Sequence, residues 1–412
     1  MKKYKERFGN NFADDNFWKD IQHNEQAQSS SPWTDEKYNA LREELFYYSL
    51  MLQKAFVLNS KAVKRNINCI IDIWKDNVSE RDKASSYVHL LNTLFLLVPV
   101  ISTTFASVAT FLQYVGKEEL GTLIIDEAGQ ATSQSALGAL WRTKKAIIVG
   151  DPLQIEPIVK VPKELSWRFA REFTISDLYI SQDISAQMLA DSINPYGGYR
   201  KYSDGHELWL GCPLLIHRRC LDPMFSISNM VAYNNKMFKQ TPDPDPGVSF
   251  AIDKSVWLDV KGREIGGRNH FVKEQGDCVE KIVLKAFALY GGFPSIYVIS
   301  PFISVIQNIK LILKKSIHAS YNQYGKEKIY KWVERSCGTV HSFQGKEADE
   351  VIFVLGCDKE SGSGAAQWAG KKPNILNVAV TRAKYRIAII GDCDLWYKVP
   401  YFNTALEMLS QQ

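Results

Sequence analysis

The sequence predicts an α/β chain of two doubly wound domains with parallel sheets, and three observations carry that prediction. Five short apolar runs, 123–125, 146–149, 296–299, 351–355 and 387–390, are mostly β-branched and lack polar alternation, as strands covered on both faces do. Most run straight into Asp, Gly-Asp or Ser-Pro, the strand-end positions where an open α/β sheet holds its ligands. The runs fall into two groups on either side of about 161–205, a stretch with few strand signals. The expected organisation is an irregular N-terminus and helical segment over 1–95, a first domain over 96–165, a connecting segment over 166–205, a second domain over 206–400 and a tail over 401–412.

Residues 1 to about 30 are polar, end in Gln28-Ser29-Ser30-Ser31 and read as irregular. Ser31-Pro32 reads as a helix start, a hydroxyl cap followed by proline at the first helical position. Leu41, Leu45, Tyr48, Leu52 and Ala55 then recur at helical spacing, and this stripe is expected to pack against a core rather than a partner helix. A second helical region is expected around 67–74, and the strand texture begins near Val98. Thr241-Pro242-Asp243-Pro244-Asp245-Pro246-Gly247 reads as a stiff exposed loop, Ser361-Gly362-Ser363-Gly364 as a flexible one.

At 412 residues the chain has room for two or three domains, and 45% hydrophobic with 23% charged residues is ordinary for a globular protein. A net charge of +5 permits a polyanionic partner without requiring one. The seven cysteines are scattered with no C-x-x-C pair, which argues against a disulfide framework or zinc ribbon and fits a reducing cytosol. Cys212, His217 and Cys220 lie close in sequence, but without a fourth partner or a usual ligand spacing they read as ordinary packing. The longest apolar run, 94–101, is broken by Pro99 and falls far short of the roughly 20 residues a membrane helix needs. Met1-Lys2-Lys3-Tyr4 leads into Asn- and Asp-rich sequence instead of an apolar stretch. A cytoplasmic protein with no membrane partner is the expectation.

Asp126-Glu127 closes the apolar run Leu123-Ile124-Ile125 and is followed by Ala128-Gly129. Paired acids at a strand end suit nucleoside triphosphate chemistry, where one carboxylate holds Mg²⁺ and the next orients the attacking water. Gly150-Asp151-Pro152-Leu153-Gln154 makes a second strand-end turn, with the Gln154 amide able to sense a γ-phosphate or water. Taken alone, that turn is more often structural. Ser102, Thr103, Thr104 and Thr339 are small hydroxyl donors suited to phosphate contacts that position a strand without reading its sequence. Phe302 either stacks on a base, as aromatics do in single-strand channels, or belongs to the core. The expected partner is single-stranded nucleic acid, DNA or RNA.

These segments, in this order, resemble the motifs of superfamily 1 helicases, in particular the branch containing the nonsense-mediated-decay helicase and its bacterial AAA-domain relatives. Residues 100–106 look like motif Ic, 126–131 like motif II, 150–154 like motif III, 299–302 like motif IV, 339–347 like motif V and 377–384 like motif VI. The resemblance runs from about residue 98 to residue 392 and implies two RecA-like P-loop NTPase domains. It further implies that Asp126 coordinates Mg²⁺, that Glu127 activates water and that Gln154 couples the γ-phosphate to the cleft between domains. Gly345 and Glu347 belong by the same resemblance to the nucleotide-binding set, with Glu347 near the sugar. Arg382 resembles the motif VI arginine that reaches the γ-phosphate from the second domain. Arg218 resembles another arginine with that duty, and Arg219 is the alternative. Guanidinium groups there stabilise charge developing on the transferring phosphoryl group.

One part of the family pattern is missing. No G-x-x-x-x-G-K-[ST] occurs, since Lys117, Lys326, Lys346 and Lys371 each follow a glycine but none is followed by Ser or Thr. The first RecA-like domain is therefore expected to be N-terminally incomplete, leaving a sheet edge and core surface exposed. ATP and Mg²⁺ are expected to bind only if the missing loop is supplied, for instance by a separate polypeptide. Three readings stand: the C-terminal part of a helicase-like ATPase, inactive by itself; one half of a split ATPase; or a non-catalytic nucleic-acid-binding or scaffold protein.

Overall fold

The computed structural model describes residues 2–8, 14–15, 19, 24–29, 35–176, 179, 184–201, 207–266 and 269–410. The chain divides into two compact units, Met1–Gly150 with Pro157–Ala190, and Asp151–Glu156 with Asp191–Gln412. The helical segment and the first strands thus share one unit, and a short piece of motif III belongs to the other.

In the first unit a long helix spans Glu36–Asn59, with Asp35 as its cap accepting the Tyr38 N–H at 2.8 Å. Of the expected start, Ser31-Pro32 lies outside the described residues. The stripe on this helix does not pack as expected. Leu41, Leu45, Tyr48 and Leu52 are 63%, 68%, 60% and 74% exposed, and no residue of the helix is buried. Phe46, Tyr47, Met51 and Phe56 are exposed as well, so apolar side chains surround the helix and no single face is specified for burial. The next three helices, Lys61–Trp74, Glu80–Phe95 and Phe105–Phe111, do build a core, in which Ile70, Leu90, Leu91, Val108 and Leu112 meet. Ser60 and Ser79 cap the first two, accepting backbone N–H groups at 3.3 Å.

Strands β1 (Leu120–Ile125) and β2 (Thr143–Ile148) pair in parallel, joined through the Ser133–Trp141 helix. Register partners share a face, so Ile125 and Ile148 lie on one side and Ile124 and Ile147 on the other. Ile125, Leu123 and Ile148 pack with Ala136 and Leu140. Ile124 and Ile147 are 60% and 52% exposed, and among the described residues each strand has a single partner. Parallel strands are normally covered on both faces, whereas Ile124 and Ile147 leave one face of this pair exposed.

The second unit begins with two small strand pairs. β3 (Gly197–Lys201) and β4 (Glu207–Gly211) run antiparallel, and β5 (Ile216–His217) and β6 (Phe238–Lys239) run parallel. They precede β7 (Val256–Asp259), β8 (Ile296–Ser300), β9 (Cys337–Thr339), β10 (Ala348–Val354) and β11 (Ala383–Gly391). These five form one parallel sheet in the order β7-β11-β10-β8-β9. The Lys273–Tyr290 and Ile303–Ser320 helices bury Val283, Phe287, Ile309 and Leu313 in the same core as Val351, Ile352, Phe353 and Ile389. The expected tail is instead a packed helix, Phe402–Ser410, because Phe402, Ala405 and Leu409 recur on one face and are buried. Glu350 lies buried within β10, where its carboxylate accepts N–H groups of Ala251 and Ile252 at 3.1 and 2.6 Å and the Tyr290 hydroxyl at 3.0 Å. Among the described residues no helix is long and apolar enough to cross a membrane.

Candidate functional site

In the first unit β1 delivers Asp126 and Glu127 to the carboxyl end of its sheet. Asp126 is exposed, and its Oδ1 accepts the Glu127 N–H at 2.9 Å. Glu127 sits at φ 53°, a left-handed backbone that a residue with a Cβ adopts only when its surroundings hold it there. The hold is local. The Ala128 N–H donates to Val149 O at 2.9 Å and the Val149 N–H to Ile125 O at 2.8 Å. Gly150 completes the lacing, because a Cβ there would stand 2.7 Å from the backbone nitrogens of Ala128 and Gly129. Gln130 Nε2 donates to Glu127 Oε2 at 3.1 Å and steadies the carboxylate. Two acids on a braced strand-end turn offer hard oxygen donors to a divalent cation and a base to a water molecule.

In the second unit, Asp151–Glu156 is bracketed by side chains that sequence reading gave no role. Asp151 Oδ1 accepts the Leu153 N–H at 2.8 Å, and its other oxygen accepts from Gln154 Nε2 at 3.3 Å. Tyr233, at the end of the Met224–Tyr233 helix, donates its hydroxyl to Asp151. Asn377 Nδ2 donates to the Tyr233 oxygen and to Leu153 O, both at 3.1 Å, while Asn374 Nδ2 donates to Gln154 O. Burial, with the Asp151 charge, pushes the Tyr233 phenol well above its ordinary range, so it remains a donor at neutral pH. Asn377 opens the motif VI segment, and a buried amide in an apolar run was the one available signal.

Arg382 is built into the second unit. It is 1% exposed, its Nε donates to Val378 O at 3.0 Å, and Nη1 donates to Lys346 O and Phe343 O at 2.9 and 3.3 Å. The guanidinium satisfies carbonyls of the 343–346 loop and of its own helix end, joining motif V to motif VI within the second unit. Gly345 turns that loop at φ 75°, where a side chain would be strained. Glu347 pairs with Lys384 at 2.7 Å and Arg219 at 3.0 Å, and these cations, Lys384 foremost, hold its carboxyl below the usual range. Arg219 rather than Arg218 is thus the one against Glu347. Arg218 is exposed and donates to Gln240 Oε1 at 3.4 Å.

The hydroxyl donors are placed variously. Ser102, Thr103 and Thr104 are exposed on the segment before the Phe105–Phe111 helix, and Thr104 Oγ1 lies 3.4 Å from Ser107 Oγ. Thr339 ends β9 half-buried, and its carbonyl accepts the Ser342 hydroxyl at 2.8 Å. Phe302 takes the core alternative. It is 9% exposed, with its ring 4.6 Å from that of His270, so it offers no free face to a base. The exposed neighbour is Trp368, 53% exposed on the Ser363–Ala369 helix and 6.1 Å from the Phe302 ring.

Two family models, each described as an AAA domain, match residues 16–162 and 216–394. Among curated proteins, the putative regulator of nonsense transcripts 1 of Takifugu rubripes is 23% identical over 72% of this chain and 24% of its own length. An uncharacterized ATP-dependent helicase of Mycoplasma pneumoniae is 23% identical over 79% of this chain and 28% of its own. The helicase sen1 of Schizosaccharomyces pombe is 26% identical over 67% of this chain and 15% of its own. The chain spans about a quarter of the length of the first two of these relatives. The solved arterivirus nonstructural protein 10 helicase aligns with 67% of this chain and 40% of its own at 12% identity, with a TM-score of 0.31.

Proposed function

The chain belongs to the superfamily 1 helicase-like family, and on that premise we propose that it carries hydrolytic and strand-gripping parts of an ATP-driven motor that moves along single-stranded nucleic acid. The observation that supports this most is the braced Asp126-Glu127 turn, with Glu127 held in a left-handed backbone. Asp126 would hold Mg²⁺, which its hard oxygens suit, and Glu127 would orient the attacking water and take its proton. Bound ATP would supply the phosphoanhydride whose cleavage drives movement. In the second unit, the Gln154 amide and an arginine are proposed to face phosphate oxygens. The contact of Arg219 with Glu347 supports Arg219 over Arg218 for that duty.

These 412 residues contain no G-x-x-x-x-G-K-[ST], so turnover is proposed to need a phosphate cradle from another segment or polypeptide. Purified alone from a foreign host, the 412-residue protein is expected to show no single-strand-stimulated ATPase. Captured from its own cells by a tag, it is expected to bring such an activity, abolished by Glu127→Gln. A stimulated rate indifferent to Glu127→Gln in either preparation overturns the proposal. A second reading, a non-catalytic binding protein, is favoured by one feature, the burial of Arg382 against its own unit's carbonyls. It requires single-strand binding with no ATPase in either preparation.

A further inference from the structure

Outside the motifs, three metal-ligating side chains converge in the second unit. Glu264 and His270 stand on the loop between β7 and the Lys273–Tyr290 helix, and Cys357 follows β10. Their ligand atoms all lie within 4.8 Å of one another. The Glu264 side chain is 2% exposed, accepts the His270 N–H at 2.9 Å on Oε2, and brings Oε1 within 3.3 Å of the ring Nδ1. Cys357 is 1% exposed. The backbone ties the two segments together, with the Cys357 N–H on His270 O at 2.9 Å and the Glu264 N–H on Asp358 Oδ2 at 2.9 Å. Both His270 and Cys357 are held left-handed, at φ 58° and 64°. Between the segments there is no slack, since a Cβ on Gly356 would lie 2.3 Å from His270 O.

We propose that Glu264, His270 and Cys357 bind one Zn²⁺, or a divalent cation of similar softness, with a fourth position left to water. Thiolate, imidazole and carboxylate together are a zinc donor set, and this mixture does not suit Mg²⁺ or Ca²⁺, which want oxygen alone. The ligands come from two chain segments already fixed by backbone bonds, so little ordering remains for the cation to impose. On binding, the thiol loses its proton to solvent as the sulfur–metal bond forms. The cation would neutralise a buried carboxylate and clip the β7 loop to the end of β10, separately from the nucleotide chemistry proposed above.

The test titrates the reduced, purified 412-residue protein with Co²⁺ as an optical probe. A sulfur-to-cobalt charge-transfer band is expected to saturate at one equivalent and to vanish on adding Zn²⁺. X-ray absorption of the Zn²⁺-loaded protein should show one sulfur at about 2.3 Å. Cys357→Ser should abolish the band, His270→Gln and Glu264→Gln should weaken Co²⁺ binding by at least about tenfold, and Cys220→Ser should leave it unchanged. No saturable band, or one that survives Cys357→Ser, overturns the proposal. If Cys357→Ser does not fold, His270→Gln decides, and Co²⁺ affinity equal to the parent's refutes the site.

Discussion

Burial, with the nearby Arg219 charge, lowers His217 from its ordinary 6.5 to about 4, and the Cys220 N–H donates to its Nε2 at 2.9 Å, a bond that only the neutral ring accepts. Between those two values the unfolded chain holds more protons than the folded one. The stabilisation is therefore complete above 6.5 and is lost as the pH falls towards 4. Urea melts should lose at most about 3 kcal/mol across that window, and His217→Gln, which keeps an acceptor but does not titrate, should flatten the slope. Single residues were the least legible scale in the sequence. The run Thr381-Arg382-Ala383-Lys384 announces a functional arginine, yet its direction is set by the Phe343 and Lys346 carbonyls, far away in the chain. Phe302 followed the same logic, its ring enclosed by His270 and Trp368, which no local pattern links to it.

At the scale of elements, all five expected strands are present as β1, β2, β8, β10 and β11, because a β-branched apolar run bounded by turn residues admits few other conformations. β7 and β9 escaped notice for a physical reason. Val256–Asp259 and Cys337–Thr339 are too short to show a period, and each is defined by its neighbour in the sheet. Within β10, Glu350 closes three donors from outside its strand, and Glu350→Gln, which can receive them on one oxygen only, should cost about 1–3 kcal/mol in a chemical melt. The uncovered face of β1 and β2 makes a different prediction. Ile124→Thr with Ile147→Thr should reduce self-association in light scattering while changing the unfolding free energy by no more than about 0.5 kcal/mol, as exposed substitutions do. Unchanged scattering with a large loss of stability would mean that this face is covered in solution.

For the whole molecule, the proposed motor would contact single strands weakly and through the phosphate backbone, a role for which the exposed Ser102-Thr103-Thr104 segment is suited and which the mild net charge of +5 permits. Binding measured by fluorescence anisotropy should fall roughly tenfold between about 50 and 200 mM salt, the response to two or three neutralised phosphates. Affinity indifferent to salt would point to another mode. The division of the chain has a separate consequence. It changes units after Gly150, after Glu156 and again after Ala190. A protease that nicks any one of these junctions leaves a covalent thread between the halves, so the nicked protein should run as one species on a native gel and as two bands only after denaturation. A gene fragment opening at residue 191 would strip Asn374, Asn377 and Tyr233 of the acceptors they hold in 151–156, and dissection of this protein has to carry those six residues with the C-terminal piece.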